Sequence, residues 1–346
     1  MTEIRNLPED YTVNPDELDT ELPEPGTVLP VQLIIPEEYG AMRLDQALAR
    51  LLPEYSRSRL QSWIEAGLVS INGKATTSIK QKIWEGERVA LTPQRDPADM
   101  PYSAEDIPLE IVHEDDAILI INKPVGLVVH PGSGNWSGTL LNALLHHAPQ
   151  LAEVPRAGIV HRLDKDTSGL LVVAKTLVAQ TDLVRQLQAR SVSREYLALV
   201  YGEVTRNGTV EAPIDRHPTQ RTKMAVVAGG KTAITHYAVQ EAFPGCTLLR
   251  CKLETGRTHQ IRVHMASIQH PLVGDRLYLR GAQKCATYLR EMLGSFPRQA
   301  LHAERLGLQH PQSGEWMSWQ VEMPQDMQQL LADVRIKVSY NQGIEN

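Results

Sequence analysis

The densest set of reactive side chains in the sequence is His161, Arg162, Asp164, Lys165, Asp166, Thr167 and Ser168, in the run HRLDKDTSG that leads into the apolar segment Leu170–Ala174. Polar groups at the mouth of a strand sit on a rigid platform yet stay open to a ligand. Asp164, Asp166, Ser168 and Gly169 imitate the opening of a calcium loop. That loop needs a bidentate glutamate where Lys175 stands, and this run enters a strand, not a helix. Other templates lack parts. His259 and His264 are five apart, so no helical face aligns them, and there is no HExxH. Gly132, Gly134 and Gly138 only faintly outline a phosphate loop, and Gly230-Lys231-Thr232 has Ala225 where a P-loop needs its first glycine. No GxSxG elbow is present. What remains is an aspartate acting as nucleophile or base beside arginines, with no metal site.

The elements that must position this run follow from periodicity. Strand-like runs lie at Leu109–His113, Ala117–Asn122, Gly169–Lys175, Tyr196–Gly202, Ile234–Glu241 and Thr247–Leu253. Helical patterns lie at Leu140–His147, Val178–Ala189 and Arg257–Ile268. Together they predict an α+β domain over residues 108–335, with a mixed, mainly antiparallel sheet flanked by helices, followed by a C-terminal tail at 336–346. Ahead of it, residues 41–92 read as a small α/β unit. Leu44, Leu48, Leu51 and Leu52 recur at helical spacing, and Leu60, Trp63 and Ile64 do so after Ser56, a suitable N-cap. Leu68–Ile71 reads as a strand before the tight-turn pair Asn72-Gly73. Residues 93–107, with Pro93, Pro97 and Pro101, read as a linker, and residues 1–40 as an acidic tail, mostly disordered to about 30.

The net charge of -6 is unequally distributed. Residues 1–40 hold ten acids against Arg5, a balance of -9, which leaves +3 on the other 306 residues. Residues 41–95 carry nine Lys/Arg against five Asp/Glu. A basic cluster on a folded unit is the footprint of a nucleic-acid binder. No apolar run approaches the roughly 18 residues of a membrane span, and no basic segment followed by an apolar block marks a secretory signal. Three cysteines form neither a disulfide framework nor a zinc ribbon. The expectation is a cytoplasmic protein without a membrane partner.

The segment RLDQAL…SRSRLQSWIEAGLVSINGK resembles the S4 RNA-binding domain. Arg57, Arg59, Lys74, Lys80 and Lys82 lie on its pieces, with Arg88, and suit phosphate contacts that fix orientation but read little sequence. The run HRLDKDTSGLLVVAK is similar to the active-site motif of the RluA family of pseudouridine synthases. INKPVGLVVHPG (Ile121–Gly132), REYLALVYG (Arg194–Gly202) and LETGRTHQIRVHM (Leu253–Met265) match three further motifs of that family in order and spacing. The resemblance covers roughly residues 40–335. Within the family, VPRAGIVHRLDKDTSGL and RHPTQRTKMAV look closest to members acting on large-subunit ribosomal RNA.

The resemblance implies a pseudouridine synthase fold and the isomerisation of uridines in 23S ribosomal RNA, in the hairpin that faces the small subunit. Asp164 would be the carboxylate that initiates glycosidic cleavage, Arg262 the cation that keeps it ionised, and Tyr196 the ring against the target base. Arg162 would enter the stack vacated by the flipped uridine. His161 would shape the loop, without a proton-transfer role. Arg257, His259 and Gln260 would contact phosphate or backbone, and Arg216, Arg221 and Lys223 would grip the hairpin. Base–sugar rearrangement involves no net oxidation, hydrolysis or group transfer, so no cofactor is expected. The partner would be free ribosomal RNA or a pre-50S particle, and the protein a monomer. Rival readings are a synthase for other RNA sites, a non-catalytic RNA-binding assembly factor, and a metal-dependent RNA hydrolase.

Overall fold

The computed structural model describes residues 31–53, 55, 57–92, 102–132, 135–279 and 285–344. The acidic segment 1–30, Ser56, Gly134 and linker residues 93–101 lie outside the described residues. The chain divides into two compact units, Met1–Met100 and Pro101–Asn346.

The first unit contains β1 (Val31–Ile34), α1 (Leu44–Leu51), α2 (Arg57–Glu65), β2 (Val69–Ile71), β3 (Lys74–Thr76) and β4 (Arg88–Leu91). Its antiparallel sheet runs in the order β1-β4-β2-β3. Leu44, Leu48, Leu60 and Ile64, the residues whose spacing predicts the two helices, are fully buried. Asn72 and Gly73 take positive φ, 51° and 80°, as the two-residue turn between β2 and β3 requires. One boundary differs from the sequence reading. Val31–Ile34, assigned to the tail, pairs with β4 from Val31 opposite Leu91 to Ile34 opposite Arg88. The acids that gave this stretch a tail-like composition, Glu37 and Glu38, fall beyond the strand in a short 3-10 turn.

The second unit contains β5 (Ile111–Glu114), β6 (Ile118–Lys123), α3 (Leu140–His147), β7 (Ser168–Ala174), α4 (Leu177–Gln188), β8 (Ser193–Tyr201), β9 (Gly208–Glu211), β10 (Ile214–Arg216), β11 (Met224–Val226), β12 (Ile234–Phe243), β13 (Cys246–Leu253), α5 (Gln260–Ser267), α6 (Thr287–Ser295), β14 (Leu301–Gln309), β15 (Trp316–Gln320) and α7 (Gln325–Ile344). Among the described residues, nine strands form one sheet ordered β5-β6-β7-β14-β8-β13-β12-β9, with β15 also on β14, while β10 and β11 make a separate hairpin. All pairings between these strands are antiparallel except β7 with β14. The fold is α+β.

Both faces of the sheet are covered, which is why its central strands read as nearly unbroken apolar runs. Along β8, Tyr196, Ala198 and Val200 join the core beneath α3 and α5, while Leu197, Leu199 and Tyr201 join the one beneath α6 and α7. Of the segment expected as a tail at 336–346, residues 336–344 are instead the end of α7, which buries Met327, Leu330, Leu331, Val334 and Val338. Linker residues Tyr102 and Ile107 likewise pack against the core of the second unit. No helix among the described residues is long and apolar enough to cross a membrane.

The parallel pairing is short, only Ser168 with His302 and Ala303 with Gly169. It closes the seam between β5-β6-β7 and the rest of the sheet. Gly169 has φ +110°, and a Cβ there would lie 2.2 Å from the Ala303 carbonyl oxygen. A side chain would hold the two strands apart. The loop of residues 161–167 enters the sheet at this seam.

Candidate active site

The loop is fixed by its backbone. Lys123, at the end of β6, is completely buried, and its ammonium donates to the carbonyls of Pro124 (2.7 Å), Leu127 (2.9 Å) and Lys165 (3.0 Å). Burial lowers its pKa to about 8, against the opposing pull of Asp166 and Asp164. Arg298 donates to the Asp166 carbonyl (3.1 Å) and is itself held by Asp326 at 2.7 and 2.8 Å. The Val172 N–H donates to His161 Nε2 (3.2 Å), tying the start of the loop to β7. With two carbonyls clamped from behind, the side chains of residues 162 and 164 face outward onto the cleft.

Asp164 meets the arginine that the resemblance pairs with it. Arg262 Nη1 donates to Asp164 Oδ2 at 2.9 Å, while its Nε and Nη2 grip Asp275 at 2.7 and 2.9 Å. Burial alone would lower the Arg262 pKa; the hydrogen bonds and charges of Asp275 and Asp164 outweigh it and raise it. The guanidinium is thus permanently charged, and lies 5.1 Å from the centroid of the Tyr278 ring. Two carboxylates share one cation, and the more exposed of them, Asp164, opens on the cleft.

Helix α5 starts at Gln260, three residues later than the pattern predicts, because His259 takes the left-handed conformation at φ 56°. That turn aims His259 Nε2 at Asp164 Oδ1, 3.8 Å away. Tyr278 Oη accepts the Met224 N–H (2.9 Å) and is in hydrogen-bond contact with His259 Nδ1 (2.7 Å), which fixes the orientation of the ring. Burial lowers the His259 pKa, consistent with the neutral ring.

Tyr196 is 5% exposed and lines the cleft. Burial raises its pKa, so its phenol is protonated at neutral pH. Arg162 is exposed on the cleft, with no hydrogen-bond partner among the described residues, and stays available to a ligand. Arg257 lines the cleft, its Nε donating to the Thr232 carbonyl at 3.0 Å.

Gln260 differs from expectation. Its amide donates to Ile234 O and Thr235 Oγ1, and its oxygen accepts from Thr255 Oγ1 and the Arg257 N–H. At 3% exposure with its polar atoms committed, it braces the turn before α5 and has nothing left for a substrate. Arg216, Arg221 and Lys223 lie on the β10–β11 hairpin, outside the cleft wall, and connect to it through the Met224–Tyr278 hydrogen bond.

In the first unit, Arg57 is engaged by the fully buried Asp45 at 2.6 Å, though its side chain is 48% exposed. Arg59 lies over the Trp63 ring at 5.9 Å. Lys74, Lys80 and Lys82 are exposed, and no carboxylate among the described residues is in ion-pair range of them.

Lys123, Arg194, Asp275, Tyr278 and Arg298 were not singled out by sequence for roles of their own. The one local signal was a lysine ending the apolar run of β6, a position where burial without a partner is unfavourable. The cleft measures about 1190 Å³, beyond the roughly 300–1,000 Å³ of small-molecule sites. Its size suits a macromolecular ligand that inserts one group. Among the described residues no three His, Cys, Asp or Glu side chains gather as a metal-holding group.

Comparison with known proteins gives a consistent result. Residues 117–267 match the RNA pseudouridylate synthase family, and residues 42–89 match the S4 domain. The chain is 58% identical over 305 residues to ribosomal large subunit pseudouridine synthase D of Nitrosomonas europaea, covering 88% of each chain. It is 54% identical over 304 residues to the protein of that name from Escherichia coli, covering 87% of this chain and 93% of that one. Among solved structures, human RNA pseudouridylate synthase domain containing 4 superposes with a TM-score of 0.52 at 26% identity, over 65% of this chain and 93% of that one.

Proposed function

This chain belongs to the RNA pseudouridylate synthase family, and from that premise we propose that it converts uridines of large-subunit 23S ribosomal RNA to pseudouridine, in the hairpin facing the small subunit, with Asp164 as the essential group. Relatives more than half identical over nearly the whole chain, named as ribosomal large subunit pseudouridine synthases, support large-subunit ribosomal RNA as the substrate. The observation that carries the site assignment is the Asp164 carboxylate, open to a large cleft and hydrogen-bonded by Arg262 at 2.9 Å.

The bond between sugar and base nitrogen cannot be broken and remade inside a stacked helix, so the uridine must leave the stack. Tyr196, neutral and buried, offers a flat wall for the uracil ring, and Arg162 is the free guanidinium that fills the gap in the RNA. Asp164 then either attacks C1′ or withdraws the proton from C2′. In both cases the N1–C1′ bond breaks with its electron pair left on uracil. The base turns and C5 bonds to C1′ as the Asp164–C1′ bond breaks or, on the other route, as Asp164 returns the proton to C2′; C5 then loses its proton and N1 gains one. Arg262 holds the carboxylate in place through its 2.9 Å hydrogen bond to Oδ2. Asp275 keeps Arg262 in place.

The S4 unit and the β10–β11 hairpin supply the phosphate contacts, with Lys74, Lys80 and Lys82 as the freest cations of the former. Incubation of the purified protein with an rRNA hairpin transcript, scored for pseudouridine with and without EDTA, tests the reading. Modification unaffected by EDTA is expected, and none with Asp164→Asn. Turnover by that variant would remove Asp164 from its role. A hairpin still fully modified in cells lacking the protein would refute the substrate.

A further inference from the structure

Among the described residues, every other deeply buried arginine in the second unit faces a carboxylate: Arg262 holds Asp275 and Asp164, and Arg298 holds Asp326. Arg194 does not. It is 6% exposed, and no carboxylate among the described residues lies within ion-pair range. Its one side-chain hydrogen bond is a long contact from Nη2 to the Glu254 carbonyl (3.4 Å), and its buried Nε–H has no partner. Gly256 makes room for the guanidinium, since a Cβ there would lie 2.7 Å from Arg194 Nη1. Beside it stands His161. With Nε2 accepting the Val172 N–H, the neutral ring carries its proton on Nδ1, and that buried atom also has no partner. Both residues line the cleft with Tyr196, which follows Arg194 by two along β8 and so shares its face of the sheet.

An unpaired buried cation and an unpaired buried N–H are each unfavourable, and here they converge at one place. We propose that Arg194 and His161 form the polar end of the base pocket, where they receive the carbonyl edge of uracil and hold the ring while it is detached and anionic. The inference rests on the function proposed above and deepens it. Whichever way Asp164 acts, the pair from the N1–C1′ bond departs on uracil, and its charge spreads onto O2 and O4. The guanidinium and the imidazole N–H remain donors throughout and lose no proton; the ring becomes neutral again once C5 is joined to C1′ and N1 is protonated. A carbonyl-bearing base fits better than a backbone phosphate. The unpartnered atoms are buried beside Tyr196, whereas phosphates meet the exposed Arg162 and Arg257 first.

Arg194→Met and Arg194→Lys are compared with the unaltered protein in single-turnover reactions at saturating RNA. One hairpin carries uridine at the target and a second carries 5-fluorouridine, with cleavage of the N1–C1′ bond as the readout and RNA affinity measured separately. Fluorine stabilises the departing anion, so the cation matters less. Arg194→Met is expected to lose on the order of 10²-fold in rate on uridine, as when one preorganised donor to a developing anion is removed. The loss on 5-fluorouridine should be clearly smaller, with RNA affinity retained and partial recovery in Arg194→Lys. Equal losses on both substrates, or a loss wholly in affinity, would overturn the inference. If Arg194→Met does not fold, the same two-substrate ratio is read from Arg194→Lys. No modification by the unaltered protein would mean the proposed function has failed and this inference with it. Normal turnover by Arg194→Met removes Arg194 alone.

Discussion

The two aspartates on Arg262 are predicted to respond oppositely to neutralisation. Asp275 is 1% exposed and accepts both Nε–H and Nη2–H of Arg262, as well as the Leu277 N–H at 3.1 Å. An asparagine there keeps one acceptor but turns an amide donor toward a guanidinium donor. Removing one partner of a buried pair costs about 3–5 kcal/mol, and because Asp164 still faces Arg262 the lower figure applies. At roughly 2–4 °C per kcal/mol for a unit of this size, Asp275→Asn should lower Tm by about 6–12 °C. Asp164 accepts one bond, from Nη1, and its side chain is 14% exposed. Asparagine can still accept that bond, and the like charge of Asp275 is no longer opposed across Arg262. A net change within about 1 kcal/mol follows, so Tm should move by less than about 4 °C. Rates reverse the order. Asp164→Asn should lose at least about 10³-fold in single-turnover pseudouridine formation, and Asp275→Asn about 10²-fold through displacement of Arg262. Calorimetry and single-turnover assays on one hairpin RNA measure both. Equal Tm losses for the two variants would make the Asp164–Arg262 pair structural and refute the reasoning.

Burial and Arg194 lower the His161 pKa from 6.5 to about 3, so as pH falls through this window the unfolded chain binds the proton first and stability is lost. His161→Asn should flatten the dependence of unfolding free energy between pH 6 and 4 by up to about 1.4 kcal/mol per pH unit; an unchanged slope in denaturant titrations counts against the buried neutral ring. Replacing Lys74, Lys80 and Lys82 together by alanine should reduce the slope of log affinity against log salt by about 2–3, if each meets one phosphate. A slope equal to that of the unaltered protein would show that these lysines do not touch the RNA backbone. Gly169→Ala should cost about 3 kcal/mol or more, because the new methyl meets the Ala303 carbonyl; a variant melting within about 2 °C of the original would show that the seam can open.

Periodicity located what local chemistry dictates. The α3 boundaries match the sequence reading, and β6, β7, β8 and β13 fall within a few residues of it, because strands covered on both faces are written as continuous apolar runs. β14 was not seen. Its sequence LHAERLGLQ interrupts the apolar pattern with His302 and Glu304, both buried, and both satisfied by distant residues, Ser168 and Arg250. α7 carries a legible stripe in Met327, Leu330, Leu331, Val334 and Val338, but the polar composition of its last turns disguised residues 336–344 as a tail. At the site, Asp164 and Arg262 are 98 residues apart, so only the family resemblance linked them. Lys123, Asp275 and Arg298 act through partners that no local pattern reveals. Gln260 misled because a side chain turned inward and one turned outward look alike in a sequence.

The clamp on the catalytic loop has a consequence in time. Arg298 grips the Asp166 carbonyl, and the acid that orients Arg298 is Asp326, in the first turn of α7. During synthesis the HRLDKDTSG loop leaves the ribosome well over a hundred residues before that acid is even translated. Competence therefore arrives late. A nascent chain whose first unit is already complete still lacks the latch on this loop, which is set only once α7 has docked.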